Sequence, residues 1–414
     1  MNKRLWAAPA LAAGLALGLS ACGGGSGFDD TEGGGGAEQD TSSPLTVLIG
    51  SSGDAETNAV NEAVAAWAEE SGTEAEVVAA SDLNQQLSQG FSSGEPADVF
   101  YLSTDALAGF ASNGSLLPYG DELENKDDFY PSLVQAFTYE DQFYCAPKDF
   151  STLQLVINTD MWEEAGLTDA DIPTTWDELA SVAEQLTDDD TVGLAMGPEY
   201  QRVGVFMAQA GSNLMNEDNT EATADSPENL EALEFVQEQL QAGNFALTPD
   251  IDAGWGGEAF GTQKAAMTIE GNWIIGAMQN DYPDVNYTVA ELPEGPAGKG
   301  TLQFTNCWGI AADSDNVEGA RSLVEHLTST EQQLAFSQAF GVMPSVQSAA
   351  DQWSSENEPL VPFLMGADYA KTPPTLAGSA DVVTDFNSQV ASLKDGDPAA
   401  ILESTQSNLE ALLQ

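Results

Sequence analysis

Tryptophans beside glycine and acidic or amide residues are the feature of this sequence with the clearest chemistry. Trp255, Trp273 and Trp308 occur in the stretches "DAGWGGEAF", "EGNWIIG" and "TNCWGIA". An indole face suits the C–H face of a sugar ring, and carboxylates and amides pair with neighbouring hydroxyls. Glycine at the adjoining positions lets a ligand approach the backbone closely. The pattern indicates a neutral polyol ligand, and the alternative is that each tryptophan is an ordinary core residue.

Catalytic motifs give no support to an enzyme. The sequence has no GxSxG elbow and no P-loop, and His326 is its single histidine, which limits any Ser or Cys triad. Among 67 acidic residues some carboxylate pair will always suit a glycosidase, so such a pair carries no information. The cysteines and His326 also lack the spacing of a zinc site. We expect no catalytic residue, no metal and no cofactor.

Strands and helices alternate from Leu45 onwards. Apolar runs such as "LTVLIG", "ADVFYL", "TLQLVIN" and "KAAMTIEG" predict strands, and amphipathic stretches between them predict helices. Thr175 to Glu178 has the sequence of a capping box, and the helix that begins near Pro227 should end at Gly243. This alternation predicts parallel sheets with both faces covered, in an α/β fold.

The N-terminus has the pattern of an export signal. Lys3 and Arg4 precede an apolar run that is too short and too interrupted for a membrane span. Leu19 to Cys22 resembles a bacterial lipobox, in which the cysteine takes a lipid; an ordinary signal peptide with an incidental cysteine is the alternative. The Gly, Ser and acidic residues that follow predict a flexible tether.

Acidic residues dominate the charge. The 414 residues include 10 Lys and Arg and 67 Asp and Glu, which gives a formal net charge of −57. Such a surface repels nucleic-acid phosphates and anionic headgroups, so no nucleic-acid partner is expected and any membrane association should come from lipid. We interpret the charge as an adaptation to high salt, which screens self-repulsion. An acidic habitat is the alternative.

Two cysteines remain if Cys22 carries lipid. Cys145 and Cys307 then have a single possible intramolecular pairing in an oxidising compartment. We expect a disulfide between them, and two separate buried thiols are the alternative.

Several stretches resemble one family. "ADVFYLSTDALAGFASNGSLLPY", "FYCAPKDFSTLQLVINTDMWEEAGL", "PTTWDELASVAEQL", "KAAMTIEGNWIIGAM" and "FGVMPS" look like the extracellular solute-binding proteins (family 1) of carbohydrate ABC importers, the group of the maltose-binding proteins. The resemblance runs from about Leu45 to the C-terminus. It implies a type II periplasmic-binding-protein fold, in which two α/β lobes joined by a hinge close on a ligand in the cleft between them.

Ligand contacts follow from the resemblance residue by residue. Asp105 matches an acid that hydrogen-bonds sugar hydroxyls, and Trp273 matches a stacking aromatic. The resemblance departs from maltose-binding proteins at Leu102 and Ser151, which stand in place of an aromatic residue and a carboxylate. The expected ligand-binding residues are Asp54, Glu56, Ser103, Asp105, Asp149, Ser151, Trp255, Trp273 and Trp308.

The sequence therefore predicts four segments. These are a lipoprotein signal peptide (1–21), a tether (22–43), an N-terminal lobe (44–150 plus about 301–330) and a C-terminal lobe (about 151–300 plus about 331–414). The resemblance implies a monomeric receptor on the outer face of the cell membrane. It should capture a sugar or oligosaccharide, with α-glucosides and maltodextrins among the candidates, and deliver it to the transmembrane permease subunits of an ABC importer. A secreted carbohydrate-active hydrolase and a non-catalytic surface lipoprotein are the alternatives.

Overall fold

The computed structural model describes residues 43–414. The predicted signal peptide, Cys22 and all of the predicted tether except Ser43 lie outside the described residues. Within the described part, the strands are β1 (Leu45–Ile49), β2 (Ala75–Ala79), β3 (Val99–Ser103), β4 (Thr138–Tyr139), β5 (Gln142–Phe143), β6 (Ala146–Asn158), β7 (Val192–Met196), β8 (Phe245–Leu247), β9 (Ala265–Gly271), β10 (Tyr287–Ala290), β11 (Thr301–Ile310) and β12 (Ala370–Lys371).

The helices follow the amphipathic stretches. Over residues 43–414 the α-helices are α1 (Asp54–Ser71), α2 (Leu83–Ser93), α3 (Thr104–Ser112), α4 (Pro131–Ala136), α5 (Thr159–Glu164), α6 (Trp176–Leu186), α7 (Tyr200–Ala210), α8 (Pro227–Ala242), α9 (Gly256–Gly261), α10 (Ile274–Asn280), α11 (Val317–Leu327), α12 (Thr330–Phe340), α13 (Ala350–Glu356), α14 (Val361–Met365), α15 (Ser379–Val390) and α16 (Pro398–Leu412).

The end of α8 confirms the capping prediction fully, and the start of α6 confirms it in part. The Thr175 hydroxyl accepts from the Glu178 backbone N–H at the start of α6, as expected. The Glu178 carboxylate, however, accepts from the backbone N–H and hydroxyl of Thr174 instead of from Thr175, so the box is displaced by one residue. Helix α8 ends at Gly243, whose φ of 83° is the left-handed conformation that glycine adopts without strain.

One ten-stranded sheet runs through the molecule in the order β2-β1-β3-β11-β6-β9-β7-β8, with β10 and β12 attached to β6 and β11. Strands β1, β2 and β3 are parallel to one another, and so are β7, β8 and β9. Strands β11 and β6 are antiparallel to their neighbours and connect the two parallel groups. We call the half built on β1–β3 lobe 1 and the half built on β7–β9 lobe 2.

The hinge region lies in the middle of β6. Residues up to Thr152 pair with β11, and residues from Leu153 to Ile157 pair with β9 of lobe 2. The buried apolar residues divide in the same way. One main cluster surrounds β1, β3 and the second half of β11, and it extends to Phe260, Ile274, Met278 and Val289 of α9, α10 and β10. The other main cluster surrounds β7, β8, α7 and α8. The predicted two-lobed α/β fold is thus confirmed.

The packing of the last third bears on the proposed lobe boundaries. Phe336, Trp353 and Phe363 belong to the first cluster, whereas Val382 and Phe386 belong to the second. The sequence assigned everything after about residue 331 to the C-terminal lobe. We propose a boundary after α14 instead, because α11 to α14 bury apolar side chains in the first cluster and α11 and α12 pack on α1 of lobe 1.

The disulfide between Cys145 and Cys307 is present, as predicted. The two residues lie 162 positions apart in the chain with their Cα atoms 5.7 Å from each other. Cys307 lies on β11 opposite Pro147 of β6, and Cys145 directly precedes β6. The bond therefore links the two crossing strands at the end that belongs to lobe 1.

Candidate functional site

A small patch on the crossing strands marks the floor of the candidate site. Ser151 is the one residue of β6 that is not buried, and Phe304 and Asn306 are the two such residues of β11. Phe304 pairs with Ser151, and Asn306 pairs with Asp149. Because residues directly opposite on neighbouring strands share a face, Ser151, Phe304 and Asn306 form one accessible surface between the lobes, with the buried Asp149 beside them.

Lobe 1 contributes a polar wall. The carboxyl ends of the parallel strands β1 and β3 meet at one edge of the sheet, which is where ligands bind in open α/β sheets. Asp54 begins α1 after the loop that follows β1, and its side chain is exposed. Ser103 pairs with Asn306 of the floor, and Asp105 is exposed in the first turn of α3. Asp54, Ser103 and Asp105 thus lie together at this edge of lobe 1, and a ligand contact by each of them stays a prediction.

Glu56 differs from that hypothesis. Its side chain is buried, and its Oε2 accepts hydrogen bonds from the Ser52 backbone N–H and hydroxyl at 2.7 Å. Its Oε1 accepts from the Tyr101 hydroxyl and from Lys148 Nζ, both at 3.0 Å. Both oxygens are therefore engaged within the protein, and the expectation that Glu56 contacts the ligand is corrected: it fixes the loop of lobe 1.

Lys148 is the centre of this buried cluster. It pairs with Glu56 and with Asp149, and its ammonium lies 4.6 Å from the centroid of the Tyr101 ring. Burial alone would raise the pKa of Glu56, but Lys148 and the hydrogen bonds from Ser52 hold that pKa below its ordinary value. Burial raises the pKa of Asp149 despite the opposing charge of Lys148. Asp149 is thus mainly a partner of Lys148 beneath the floor.

Lobe 2 contributes an aromatic wall. Trp273 follows β9, and 40% of its surface is exposed, which is unusual for so large an apolar side chain. Its ring centroid lies 5.8 Å from that of Phe304, with the planes at 70°. An exposed indole therefore lies directly beside the floor, and its stacking on a ligand stays a prediction.

A buried ion pair adjoins that indole. Trp273 Nε1 donates to Glu270 Oε2 at 2.9 Å, and Arg202 Nη2 donates to the same oxygen at 2.5 Å. The Arg202 guanidinium carbon also lies 5.6 Å from the centroid of the Trp273 ring. Burial raises the pKa of Glu270, against the lowering effect of Arg202.

The two other tryptophans differ in position. Trp255 is half-buried at the start of α9 and packs against the first cluster, so a ligand contact there stays a proposal. Trp308 is fully buried, edge-on to Tyr101 with centroids 4.8 Å apart. Strand alternation puts Trp308 on the face of Asn306, but its side chain is buried against Tyr101 there and is not open to a ligand. The expectation that Trp308 stacks on a ligand is wrong for this reason.

Sequence reasoning missed Arg202, Glu270, Phe304 and Asn306. Arg202 is one of only ten basic residues, a rarity that could have drawn attention to it. Glu270 begins the quoted "EGNW" stretch, and its proximity to Trp273 was readable there. Phe304 and Asn306 became recognisable only once the pairing of β6 with β11 was known.

A separate cavity of about 790 Å³ lies on the other face of the crossing strands. Gln303 lines it, and adjacent residues of a strand point to opposite faces, so this cavity is not continuous with the floor at Phe304. Gln303 Nε2 donates to Ser132 O and Thr372 Oγ1, and Lys371 pairs with Glu217, whereas Gln303 Oε1 has no hydrogen-bond partner among the described residues. The lining of the cavity within residues 43–414 also includes no exposed aromatic side chain of the kind that Trp273 offers beside the floor. We therefore place the candidate ligand site at the floor and its two walls.

Two structural features of residues 43–414 bear on other functions. No group of three or more His, Cys, Asp or Glu side chains is arranged to hold a metal ion in this range. In the same range no helix has the length and apolar character that crossing a membrane requires.

Comparison with known proteins identifies the family. Residues 62–362 match the family model described as bacterial extracellular solute-binding protein. A binding protein of Brucella abortus is 24% identical over 355 residues, which cover 82% of this chain and 85% of that protein. The diacetylchitobiose-binding protein DasA of Streptomyces coelicolor is 24% identical over 363 residues, which cover 84% and 83% of the two chains.

Solved structures agree with this fold. The cyclic α-maltosyl-1,6-maltose-binding protein of Arthrobacter globiformis superposes with a TM-score of 0.79 at 20% identity, covering 89% of this chain and 98% of that one. The chain belongs to the bacterial extracellular solute-binding proteins, and the family resemblance inferred from the sequence is confirmed. Members of this family act outside the cytoplasm.

Proposed function

We propose that this protein is the substrate-binding component of an ABC importer and that it captures a neutral sugar or oligosaccharide. The observation that carries the proposal is the exposed indole of Trp273 beside a polar floor between two lobes. The hydroxyl of Ser151 and the amide of Asn306 offer hydrogen bonds there, and the indole offers a stacking face. Closure of the lobes on the ligand is the signal that the permease subunits read.

The charges of the site favour a neutral ligand. Lys148 is paired with Glu56 and Asp149, and Arg202 is paired with Glu270, so the charge of each cation is already matched by a carboxylate of the protein. A uronate or a sugar phosphate would have to displace a buried carboxylate from its partner, which is costly. The relatives named above bind diacetylchitobiose and a cyclic maltosyl-maltose, and their printed names make chito-oligosaccharides and α-glucans the first ligands to test.

The test is titration calorimetry of the purified mature protein against a panel. The panel contains maltodextrins, cyclic α-glucans, N-acetylchito-oligosaccharides and, as charged controls, oligouronates. We expect one neutral class to bind and the oligouronates to give no heat. Release of shorter products would instead identify a hydrolase, and an absence of binding throughout would favour a surface lipoprotein with another role.

The membrane association is part of the same proposal. A lipid on Cys22 holds the monomeric receptor to the outer face of the cell membrane, with the segment up to residue 43 as its tether. Mass spectrometry of the membrane-extracted protein should find a diacylglyceryl-modified Cys22 as the first residue. A mature protein that begins elsewhere, without lipid, would contradict the anchor.

The acidic surface has its own test. If a net charge of −57 reflects adaptation to high salt, self-repulsion is strongest in dilute buffer. Molar salt shortens the Debye length to about 3 Å and should raise the melting temperature markedly. A melting temperature that stays constant from dilute buffer to molar salt, but rises on acidification, would favour the acidic habitat instead.

A further inference from the structure

The indole of Trp273 is in contact on several sides. A Cβ atom added to Gly271 would lie 2.2 Å from Cζ3 of Trp273, so the six-membered ring lies directly against the backbone of Gly271. The pyrrole edge donates its N–H to Glu270, and Phe304 meets the ring edge-on. The guanidinium of Arg202 lies 5.6 Å from the ring centroid.

Glu270 is itself held from behind. Its side chain has no exposed surface, and a Cβ atom added to Gly256 would lie 2.5 Å from its Oε1. That oxygen has no hydrogen-bond partner among the described residues, whereas Oε2 accepts from both Trp273 and Arg202. A buried carboxylate that leaves one oxygen unpaired is destabilising, so the arrangement is not explained by stability.

We propose that Gly271, Glu270 and Arg202 form a seat that fixes the indole of Trp273 in the orientation that stacks on the ligand. The stacking on a sugar rests on the proposed function, whereas the fixed orientation of the indole rests only on the contacts described above. Gly271 leaves space for the ring, Glu270 sets its rotation through the N–H, and Arg202 holds Glu270 in place. All three are positioning residues, and the stacking face belongs to Trp273 alone.

The seat explains how an exposed tryptophan serves as a rigid platform. A free indole on the surface would sample several rotamers, and binding would have to restrict them at a cost in affinity. An indole already held in one rotamer does not incur that cost. The seat therefore contributes to affinity without touching the ligand.

Gly271→Ala is the most direct variant, with Gly276→Ala as its matched control. The added methyl of Gly271→Ala occupies space that the indole holds, whereas a Cβ at Gly276 in the neighbouring α10 meets nothing within 4 Å. We expect Gly271→Ala to weaken binding of the sugar found in the panel at least tenfold and Gly276→Ala to leave it unchanged. Equal affinities for the two variants would overturn the seat.

Glu270→Gln and Arg202→Met cover the case in which Gly271→Ala fails to fold. Each should weaken sugar binding several-fold, and in a Trp273→Phe background, which lacks the indole N–H, the loss from Glu270→Gln should largely disappear. Glu199→Gln is the control, because its carboxylate is near Glu270 but makes no bond to Trp273. Losses that simply add in the double variant would show that Glu270 acts without the indole and would overturn the proposal.

A ligand-free measurement separates this proposal from the proposed function. In the unliganded protein, the indole N–H resonance of Trp273 is identified by its absence from Trp273→Phe. It should shift and exchange faster with solvent in Glu270→Gln and Gly271→Ala, but not in Glu199→Gln or Gly276→Ala. If no sugar binds and the resonance still moves, the function is wrong and the seat stands. An unmoved resonance rejects the seat whatever the ligand.

Discussion

Two cations lie near the candidate site, the buried Lys148 in one wall and the half-buried Arg202 in the other, and they are used differently. Lys148 in lobe 1 pairs with two carboxylates, and Glu56, one of these, accepts hydrogen bonds at both of its oxygens. Arg202 in lobe 2 shares a single oxygen of Glu270 with an indole. Within the described part of the chain, Arg202 Nε and Glu270 Oε1 are buried without a partner.

This difference in pairing suggests that the lobe 1 cluster serves stability, whereas the lobe 2 cluster serves ligand binding. In lobe 1 the hydrogen bonds of the cluster join the loop after β1 to β3 and β6. The disulfide at Cys145 directly precedes β6, the strand that carries Lys148. The surface that carries Asp54 and Asp105 is therefore held rigidly from beneath. In lobe 2 polar atoms are left unpaired next to an exposed indole. Unpaired buried polar groups lower stability, so we expect their benefit to lie in ligand binding.

The largest expected effect concerns the covalent link in lobe 1. Replacing Cys145 and Cys307 together by alanine removes a cross-link between residues 162 positions apart. The chain-entropy model assigns about 4 to 5 kcal/mol to a loop of this length, so the melting temperature should fall strongly. Sugar affinity of the folded protein should change little, because neither sulfur faces the floor.

Thiol titration provides the control for that variant. The wild-type mature protein, denatured without reductant, should show no titratable thiol at Cys145 or Cys307. Two titratable thiols would show that the disulfide is absent, and a double variant as stable as the wild type would show that the disulfide does not stabilise lobe 1. Either result would contradict this prediction.

Lys148→Met tests the supporting role of the lobe 1 cluster. Removing one partner of a buried ion pair leaves uncompensated carboxylates, and we expect a loss of about 3 to 5 kcal/mol in the free energy of unfolding. Arg202→Met should lose less stability, because the raised pKa of Glu270 lets this carboxyl take up a proton, but should lose more affinity. Urea denaturation and calorimetry on both variants give the comparison, with the exposed Lys394→Met as control.

The contrast between walls would disappear under one particular result. If Lys148→Met weakens sugar binding as much as Arg202→Met while both remain folded, Lys148 acts on the ligand and the lobe 1 cluster belongs to the site.

The sequence predicted the fold well because the fold depends on patterns that a single chain displays. Apolar strands, amphipathic helices and Gly243 as a helix end are local signals, and the matching stretches gave the family. The disulfide followed from the number of cysteines. The return of α12 to α14 to lobe 1 was not predictable, because it depends on which core their apolar faces meet.

The site was predicted less completely for two physical reasons. A residue type does not reveal whether its polar atoms are already paired, which is why Glu56 was assigned to the ligand. A residue type also does not reveal whether its side chain is covered by the rest of the fold, which is why Trp308 was assigned to the cleft. Trp273 and Asp105 lie at strand ends on the candidate walls, where a local motif and its position agree.

Asp105→Ala and Trp273→Ala compare the two walls at their exposed residues. Each should weaken sugar binding at least tenfold, since one removes a hydroxyl partner worth about 1 to 3 kcal/mol and the other a stacking face. Both side chains are exposed, so the melting temperature of the unliganded protein should hardly change. The exposed Asp127→Ala is the matched control for charge.

A core role for Trp273 predicts the opposite outcome. Removing a core indole costs about 3 to 5 kcal/mol of stability. If Trp273→Ala unfolds easily while its folded fraction binds sugar normally, the aromatic wall is assigned to the wrong residue.

The smallest expected effect is a difference in pH dependence between the walls. Burial raises the pKa of Glu270 in the folded protein above its ordinary value of 4.5, so between these two pKa values the folded state binds more protons than the unfolded state. Stability must therefore fall as the pH rises through this window. In lobe 1 the contributions oppose each other, because the pKa of Glu56 is lowered and the pKa of Asp149 is raised.

The variant Glu270→Gln tests this difference because its side chain cannot titrate. Its free energy of unfolding, measured by urea denaturation from pH 4.5 upwards, should lack the decline that Glu270 causes in the wild type. Subtracting the two curves cancels the contributions of Glu56 and Asp149, which both proteins share. Parallel curves would mean that Arg202 compensates Glu270 as fully as Lys148 compensates Glu56, and the two walls would then be electrostatically alike.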